Sequence, residues 1–305
     1  MNDADRMDAR PAGMIRDGIR LAGAAPLMPS VRFSKMHGTG NDYVYVNVAD
    51  ARIPDAAAFA RRVAPRRTGI GSDGLILVCP SSVAACRMEM YNADGSRGEM
   101  CGNGIRCVAK YAYEHGISRD NPMTIETDAG LRTVALEITA GHVTAATVDM
   151  GAPILDGARI PVDRPGRVVD HPLSINGTRH LVTCVSMGNP HCVVFASGID
   201  ALPLPEIGPR FEHHAFFPRR VNTEFVEVTA PDDVRMRVWE RGSGETLSCG
   251  TGACAVVVAG ALTGRTARRA TVRLPGGPLD ISWDDDDHVR MRGDAVEVFE
   301  GVIEI

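Results

Sequence analysis

Short runs rich in valine, isoleucine, leucine and aromatic residues recur along the chain, and glycine, proline or polar residues separate them. Within the runs, apolar residues alternate with polar ones or cluster in short blocks, which is typical of half-buried and fully buried strands. Six runs are the clearest predicted strands: VRFSKM (31–36), DYVYVNV (42–48), GLILVCP (74–80), LVTCVSM (181–187), HCVVFA (191–196) and EFVEVT (224–229).

Other segments have the pattern of helices and turns. The run ACAVVVAGAL (253–262) is apolar on every side, and a helix of this kind is buried all round. A helix is also expected after CGNGIRC (101–107), so we place one helix inside a curved sheet or barrel in each half of the chain. DAAAFARRVA (55–64) is amphipathic and is expected to pack outside, whereas DDDD (284–287) is expected to form a solvated hairpin turn.

A fixed offset of 148 positions relates the two halves. Three pairs share it: Cys101 and Cys249, Asn41 and Asn189, and Gly116 and Gly264. We infer two similar units, residues 31–150 and 151–305, related by a pseudo-two-fold axis, with the last strand able to return to the first unit. The predicted fold class is α/β (α+β), with two pseudo-symmetric units that each wrap a mixed, barrel-like sheet around a central buried helix. Residues 1–30 are expected to form a poorly ordered N-terminal extension.

Composition narrows the range of possible functions. The 305 residues are 44% hydrophobic and carry a net charge of −5, so nothing in the charge balance indicates nucleic acid or an anionic membrane as a partner. The longest apolar run has about ten residues, too few to span a bilayer. The N-terminal segment lacks the apolar core of a secretory signal, so we expect a cytoplasmic protein whose eight cysteines form no disulfide framework.

Two cysteine turns carry the candidate chemistry, CGNG (101–104) and CGTG (249–252). A cysteine at a helix N-terminus has a lowered thiol pKa, because unpaired N–H groups and the helix dipole favour the thiolate. The glycines let the backbone approach a ligand, and a helix N-terminus binds carboxylates. If the two turns face each other, they grip one carboxylate and place a thiol on each side of the adjacent carbon.

That arrangement suits inversion of a stereocentre. One proton must leave one face of the carbon while another arrives at the opposite face, so two acid–base groups are needed, one thiolate and one thiol. The carbanion between them is stabilised by the hydrogen bonds to its carboxylate. The residues therefore predict an isomerase acting on a small carboxylic acid.

Structural cysteines, a metal site and a pyridoxal phosphate site are the alternatives to a pair of catalytic thiols. Cys86, Cys107, Cys184 and Cys254 are interpreted as buried structural residues. Neither turn contains C-x-x-C, and the cysteine gaps are unusual for zinc, so no metal is predicted. Pyridoxal phosphate requires a Schiff-base lysine, and the only lysines are Lys35 and Lys110, so no cofactor is predicted.

Seven motifs in order resemble the diaminopimelate epimerase family: GTGNDYV (38–44), GIGSDGL (69–75), YNADGS (91–96), EMCGNGIR (99–106), GNPH (188–191), RVN (220–222) and ERGSGETLSCGTGA (240–253). The resemblance runs from about residue 31 to the C-terminus. It implies a homodimeric enzyme that interconverts LL- and meso-diaminopimelate for lysine and peptidoglycan precursor biosynthesis. It also implies independence of pyridoxal phosphate and metal, and an active site between the two units.

The resemblance assigns roles residue by residue. Cys101 and Cys249 are the acid–base thiols, and His191 and Glu240 tune them or hold them in place. The backbone N–H groups of Gly102, Asn103, Gly250 and Thr251 hold the carboxylate at the reacting centre. The rest of the substrate is expected to contact Asn41, Asn92, Asn189, Asn222, Glu240 and Arg241. Some members have glutamine where this chain has Gly74, so a substrate contact there is in question.

The symmetry between the halves is broken at positions 92/240 and 93/241 of this set. Asn92 and Ala93 correspond to Glu240 and Arg241, so the two halves differ there. Arg241 is suited to a bidentate contact with the carboxylate of the substrate's distal amino-acid group. Asn92 and Glu240 are suited to the ammonium of the same group. Two rival functions stay open: a proline, hydroxyproline or histidine racemase or epimerase, and a non-catalytic binding or thiol-sensing protein.

Overall fold

The computed structural model describes residues 30–304. The predicted extension over residues 1–30 lies outside the described residues except for Ser30, which begins the first strand. The first half contains β1 (Ser30–Gly38), β2 (Asn41–Asn47), α1 (Ala56–Val63), β3 (Gly74–Cys79), β4 (Cys86–Asn92), β5 (Arg97–Gly98), α2 (Gly102–Glu114), β6 (Met123–Thr127), β7 (Gly130–Thr139) and β8 (His142–Asp149).

The second half repeats this order. It contains β9 (His171–Ile175), β10 (Thr178–Ser186), β11 (Pro190–Phe195), a short 3₁₀ helix (Ile199–Ala201), α3 (Leu204–Glu212), β12 (Asn222–Ala230), β13 (Asp233–Glu240), β14 (Gly244–Thr246), α4 (Gly250–Leu262), β15 (Arg269–Leu274), β16 (Gly277–Trp283), β17 (Val289–Gly293) and β18 (Val296–Glu304). Adding 148 to the bounds of β1 and α2 gives the bounds of β10 and α4 at both ends. The duplication predicted from the sequence is therefore confirmed in the backbone.

All the strands join one continuous hydrogen-bonded ladder. From β9 it runs through β10, β11, β12, β13, β15, β16 and β17 to β8, and then through β7, β6, β4, β3 and β2 to β1 and β18. The short strands β5 and β14 pair with β4 and β13. The two halves meet where β8 pairs antiparallel with its own counterpart β17, as a two-fold relation requires.

A buried helix passes through each half of this sheet. In α2 every residue from 102 to 112 is buried, and in α4 Gly250 and residues 252–260 are buried. The prediction of central buried helices is thus confirmed. Each fully buried valine of the run 256–258 contributes roughly 1.5–3 kcal/mol through removal from water. This packing fixes the N-terminus of each helix relative to the strands around it.

Two smaller predictions are also confirmed. Helix α1 packs on the outside of β3 through Phe59, Ala60 and Val63, and the Asp55 carboxylate caps it by accepting from the Ala58 N–H at 2.9 Å. The aspartate run 284–287 forms the turn between β16 and β17. Within residues 30–304, no helix combines the length and apolar character needed to cross a membrane.

Candidate active site

The two cysteine turns start the two central helices. Cys101 immediately precedes α2 and Cys249 immediately precedes α4, and their φ and ψ angles are −131° and 119°, and −130° and 103°, respectively. Each sulfur therefore lies at a helix N-terminus, where the first backbone N–H groups have no partner within the helix. The residues that begin these helices are the predicted carboxylate-binding set: Gly102, Asn103, Gly250 and Thr251.

The structure brings the two turns into contact. Asn103 Nδ2 donates to the Ser248 hydroxyl at 3.1 Å, which links the first turn of α2 to the residue before Cys249. A Cβ atom at Gly250 would lie 2.9 Å from Met291 Sδ and 3.3 Å from Asn103 Oδ1, and one at Gly102 would lie 2.6 Å from Met291 Cε. A side chain at either position would therefore require Met291 to move, and one at Gly250 would also press on Asn103 of the opposite turn.

The Cys101 sulfur has two hydrogen-bond partners. It accepts from the Gly104 N–H at 3.3 Å and donates to Asn41 Oδ1 at 3.2 Å. The amide of Asn41 is held in this orientation because its Nδ2 donates to Asp73 Oδ2 at 2.8 Å. Burial raises the pKa of the Cys101 thiol, and the N–H groups of Gly104 and Asn103 offset part of that effect.

A fully buried arginine supports the first turn of α2. Arg106 donates from Nε to the Asp294 carbonyl at 2.9 Å, from Nη1 to Asn103 Oδ1 at 3.0 Å and from Nη2 to the Thr39 hydroxyl at 2.8 Å. It therefore ties three segments of the site to one planar group. Arg106 belongs to the motif EMCGNGIR (99–106), but the sequence pattern alone predicts no role for it.

Cys249 lies in a more acidic environment than Cys101. Burial raises the pKa of its thiol well above the usual value, and the carboxylates of Glu240 and Glu224 raise it further. Its side-chain contact is with the Thr251 hydroxyl, at 3.6 Å. The expectation that a helix N-terminus lowers both thiol pKa values is wrong for this structure, because burial outweighs the nearby N–H groups.

His191 is fully buried behind Cys249. Its Nδ1 lies 2.7 Å from Glu224 Oε1 and its Nε2 lies 3.0 Å from Asn189 Oδ1. Asn189 Nδ2 in turn donates to the Thr251 hydroxyl at 3.2 Å. The chain of contacts from Glu224 through His191 and Asn189 to Thr251 thus ends beside the second cysteine.

Glu224 was missed by the sequence analysis. It lies in the middle of β12, in the apolar run EFVEVT, and its side chain is completely buried. A usable signal was the 148-residue offset, because the equivalent position in β3 is the apolar residue Ile76. The two strands otherwise correspond, so an acid at the position of a buried isoleucine indicates a functional role for that acid.

Glu240 and its neighbours form one wall of the site. Burial raises the pKa of the Glu240 carboxyl group, and the Thr246 hydroxyl donates to it. The Glu240 carboxylate also raises the thiol pKa of both Cys101 and Cys249, so it lies near both candidate acid–base groups. The role of Glu240 in tuning or holding the thiols stays a prediction.

Arg241 and Asn222 are joined through the backbone. The Arg241 N–H donates to Asn222 Oδ1 at 2.8 Å, and Asn222 Nδ2 donates to the Pro190 carbonyl at 3.0 Å. The guanidinium of Arg241 is exposed and donates to the Arg219 carbonyl. Among residues 30–304 no carboxylate lies within 4 Å of it, so Arg241 and Glu240 do not form a surface ion pair.

Asn92 and Gly74 face each other across the β3–β4 ladder. Asn92 Nδ2 donates to the Ser96 hydroxyl at 2.9 Å. A Cβ atom at Gly74 would lie 2.1 Å from the Tyr91 carbonyl oxygen, so a side chain does not fit without a backbone shift. Gly74 can therefore offer a substrate only its backbone.

Three side chains of the kinds that bind metal ions cluster at the second cysteine. One atom each from His191, Glu224 and Cys249 lies within 4.8 Å of the others. Both ring nitrogens of His191 are already engaged, one with Glu224 and one with Asn189. We therefore describe this cluster as a hydrogen-bond network.

Comparison with known proteins agrees with the motifs. The profile of the diaminopimelate epimerase family matches residues 33–155 and 183–298. A diaminopimelate epimerase of Desulfovibrio desulfuricans is 55% identical over 280 residues, which cover 89% of this chain and 98% of that protein. One of Moorella thermoacetica is 53% identical over 274 residues, which cover 89% of this chain and 98% of that protein. The chain belongs to the diaminopimelate epimerase family.

The fold extends beyond this family. A phenazine biosynthesis protein of the PhzF family from Bacillus anthracis superimposes with a TM-score of 0.67 at 16% identity, covering 91% of this chain and all of that one. All seven motifs that resemble the diaminopimelate epimerase family fall inside the two matched ranges. The segment between those ranges, residues 156–182, includes β9 and contributes none of the predicted site residues.

Proposed function

We propose that this protein is a diaminopimelate epimerase, an amino-acid epimerase that interconverts LL- and meso-2,6-diaminopimelate without a cofactor. The observation that carries the proposal is the contact between two cysteine-capped helix N-termini, joined by the hydrogen bond from Asn103 to Ser248. We expect a single carboxylate at that junction to accept hydrogen bonds from the N–H groups of both helices. A family member 55% identical in sequence supports the choice of substrate.

The two thiols supply the proton transfers. In one direction the thiolate of one cysteine takes the α-proton, so a C–H bond breaks and an S–H bond forms. The S–H bond of the other cysteine then breaks as its proton joins the opposite face of the carbon. The negative charge that develops on the carbon spreads into the α-carboxylate, where the N–H groups of Gly102, Asn103, Gly250 and Thr251 stabilise it.

The remaining residues are proposed to recognise the substrate. The exposed guanidinium of Arg241 is suited to the distal carboxylate, and Glu240 and Asn92 to the distal ammonium. The side chains proposed to line the rest of the substrate are Asn41, Asn189 and Asn222. His191 and Glu240 are proposed to set the protonation and position of the thiols.

The test is exchange of the α-hydrogen. The purified protein is incubated with LL-diaminopimelate in D2O with EDTA, and proton NMR follows the α-proton signal and the formation of the meso isomer. We expect both changes in the wild type and neither in Cys101→Ala or Cys249→Ala. Cys79→Ala is the matched control, because that half-buried thiol lies at the far end of β3 and should leave the rate unchanged.

The same assay separates the rival functions. Exchange with proline, hydroxyproline or histidine in place of diaminopimelate would replace the proposed substrate and keep the two-thiol chemistry. Binding of diaminopimelate without any exchange in fully reduced protein would contradict the enzyme and favour a binding protein of the same fold.

We also propose a homodimer and a cytoplasmic location. The homodimer is supported by β18, which exposes the apolar side chains of Val298, Phe299 and Val302, the last of them 66% exposed. Phe299→Glu should shift the sedimentation of a dimer to that of a monomer; a monomeric wild type would contradict the proposal. The location is supported by eight free cysteines, as expected in a reducing compartment, and cell fractionation tests it.

We further propose that the two units of the fold comprise residues 31–150 and 151–305.

A further inference from the structure

The second half of the site contains a buried acid that the first half lacks. Glu224 corresponds to Ile76 at the 148-residue offset, and His191 corresponds to Tyr43. All four side chains are buried. The first half thus places an isoleucine and a tyrosine near its cysteine, where the second half places a glutamate and a histidine.

The two halves also hold their equivalent asparagines differently. In the first half, Asp73 fixes the amide of Asn41 by accepting from its Nδ2 at 2.8 Å. The residue equivalent to Asp73 is Val221, which has no polar atom in its side chain. Asn189, the counterpart of Asn41, therefore needs another group to orient it, and His191 lies 3.0 Å away from its Oδ1.

Each ring nitrogen of His191 faces an oxygen atom. Nε2 faces Asn189 Oδ1, an amide oxygen that only accepts, and the other end of that amide is used in donating to Thr251. Nδ1 faces Glu224 Oε1 at 2.7 Å, and an ionised carboxylate also only accepts. A ring with an acceptor at each nitrogen is satisfied when both nitrogens carry hydrogen, which makes it an imidazolium.

Glu224 is positioned to support that charge. Its side chain is fully buried, and among the described residues its second oxygen, Oε2, has no hydrogen-bond partner. A buried carboxylate needs a compensating cation, and the contact with His191 supplies one. The carboxylate also packs against the first turn of α4, since a Cβ atom at Gly252 would lie 2.7 Å from Glu224 Oε1.

We infer that Glu224 is a positioning residue for the second half of the site: it holds His191 as a doubly protonated ring, and His191 thereby orients Asn189 and Thr251 beside Cys249. The titratable groups that face this pair are Glu240 from β13 and Cys249 from α4, together with Cys192 on the strand of His191 itself. The inference deepens the proposed function and rests on it only for its effect on catalysis.

The primary test does not depend on catalysis. The ring nitrogens of ¹⁵N-labelled protein are observed by NMR near neutral pH, with His191 assigned by comparison with His191→Asn. An imidazolium gives two similar ¹⁵N shifts, whereas a neutral ring gives two widely separated ones. We expect an imidazolium in the wild type and in Glu224→Asp, and a neutral ring in Glu224→Gln, which keeps the shape of the side chain and removes its charge.

A neutral His191 in the wild type, or an imidazolium that persists in Glu224→Gln, would overturn the inference. If Glu224→Gln does not fold, the wild-type spectrum and Glu224→Ile, which copies the residue of the first half, still decide it. Glu227→Gln is the matched control, because this glutamate is on the same strand and pairs with Arg235 away from the thiols. It should leave the His191 spectrum unchanged.

Activity provides the second measurement. Glu224→Gln replaces the charge-assisted hydrogen bond between the Glu224 carboxylate and the His191 ring with a neutral one, so kcat should fall about tenfold. Glu224→Asp should recover most of the loss and Glu227→Gln should show none. Equal loss in Asp and Gln variants would indicate a packing role and overturn the inference. A wild type without α-hydrogen exchange would instead refute the proposed function and leave the NMR result standing.

Discussion

Asn103 and Ser248 are 145 positions apart in the chain, and the hydrogen bond between their side chains, 3.1 Å long, joins the N-termini of the two central helices. Asn103 also accepts from Arg106 Nη1 through its Oδ1. One amide therefore connects the two cysteine turns and satisfies a buried cation at the same time.

Substitutions at the two ends of this contact should differ in cost. Ser248→Ala removes one hydrogen bond and should lower the free energy of unfolding by about 1 kcal/mol. Asn103→Ala also leaves Arg106 Nη1 without its side-chain acceptor and should cost about 2–3 kcal/mol. Urea denaturation measures both values. Equal losses in the two variants would show that Asn103 does not contribute through Arg106.

Arg106 itself should be irreplaceable by lysine. A single ammonium cannot reach the Asp294 carbonyl, Asn103 and Thr39 from one position as the planar guanidinium does, so Arg106→Lys should cost about 3 kcal/mol. Arg52→Lys, at an exposed position between β2 and α1, is the control and should change the free energy of unfolding by less than about 0.5 kcal/mol. Similar changes in the free energy of unfolding for the two variants would contradict the role of Arg106 in holding these three segments together.

Arg241 should act on substrate affinity and leave stability unchanged. Its guanidinium is exposed, so Arg241→Ala should not alter the urea midpoint, while KM for diaminopimelate should rise about 10- to 100-fold from loss of a charged hydrogen bond. Arg210→Ala, an exposed arginine of α3, provides the comparison. A fall in kcat at constant KM would place Arg241 elsewhere in the mechanism.

Gly74 should not accept the glutamine found in some family members. A Cβ atom there meets the Tyr91 carbonyl at 2.1 Å, so Gly74→Ala should lower the free energy of unfolding by about 2–3 kcal/mol and Gly74→Gln should not improve KM. Gly264→Ala has no atom within 4 Å of the new methyl group and carries only the strain of φ +69°, so it should cost about 1 kcal/mol. A stable Gly74→Gln with a lower KM would contradict the steric argument.

The buried thiols should make the protein less stable in alkali. Burial raises the pKa of Cys107 from 9.0 to about 12, so its contribution is complete below about pH 9 and is lost as the pH rises towards 12. At about pH 10 the unfolded chain ionises first, which costs about 1.4 kcal/mol for this thiol. Urea denaturation in reductant at several pH values measures the slope, which Cys107→Ala should reduce. Val108→Ala, equally buried and without an ionisable group, should lower stability and keep the wild-type slope.

The sequence was sufficient for the parts of this molecule that depend on local pattern. The apolar helix 253–262, the outer amphipathic helix 55–64 and the 148-residue offset all follow from residue type and spacing, and each is found in the structure. The meeting of the two cysteine turns followed from the offset together with the helix–turn pattern.

Other features depend on burial, which a single sequence does not specify. The thiol pKa of Cys249 was expected to fall because of the helix terminus, and it rises because the sulfur is enclosed and two carboxylates lie nearby. Glu224 in an apolar strand and Arg106 in a central helix look like breaks in the pattern until their partners are known. Those partners come from segments distant in sequence, so only the tertiary structure identifies them.

The pairing of β18 with β1 has a consequence for the order of events during synthesis. Ser30 and Glu304 are neighbours in that ladder, so the first strand of residues 30–304 borders the last one. While the ribosome is still producing the second half, β1 has β2 on one side and an open edge on the other. We expect the nascent first half to need protection from edge-to-edge association until β18 has been made, although its central helix is already complete.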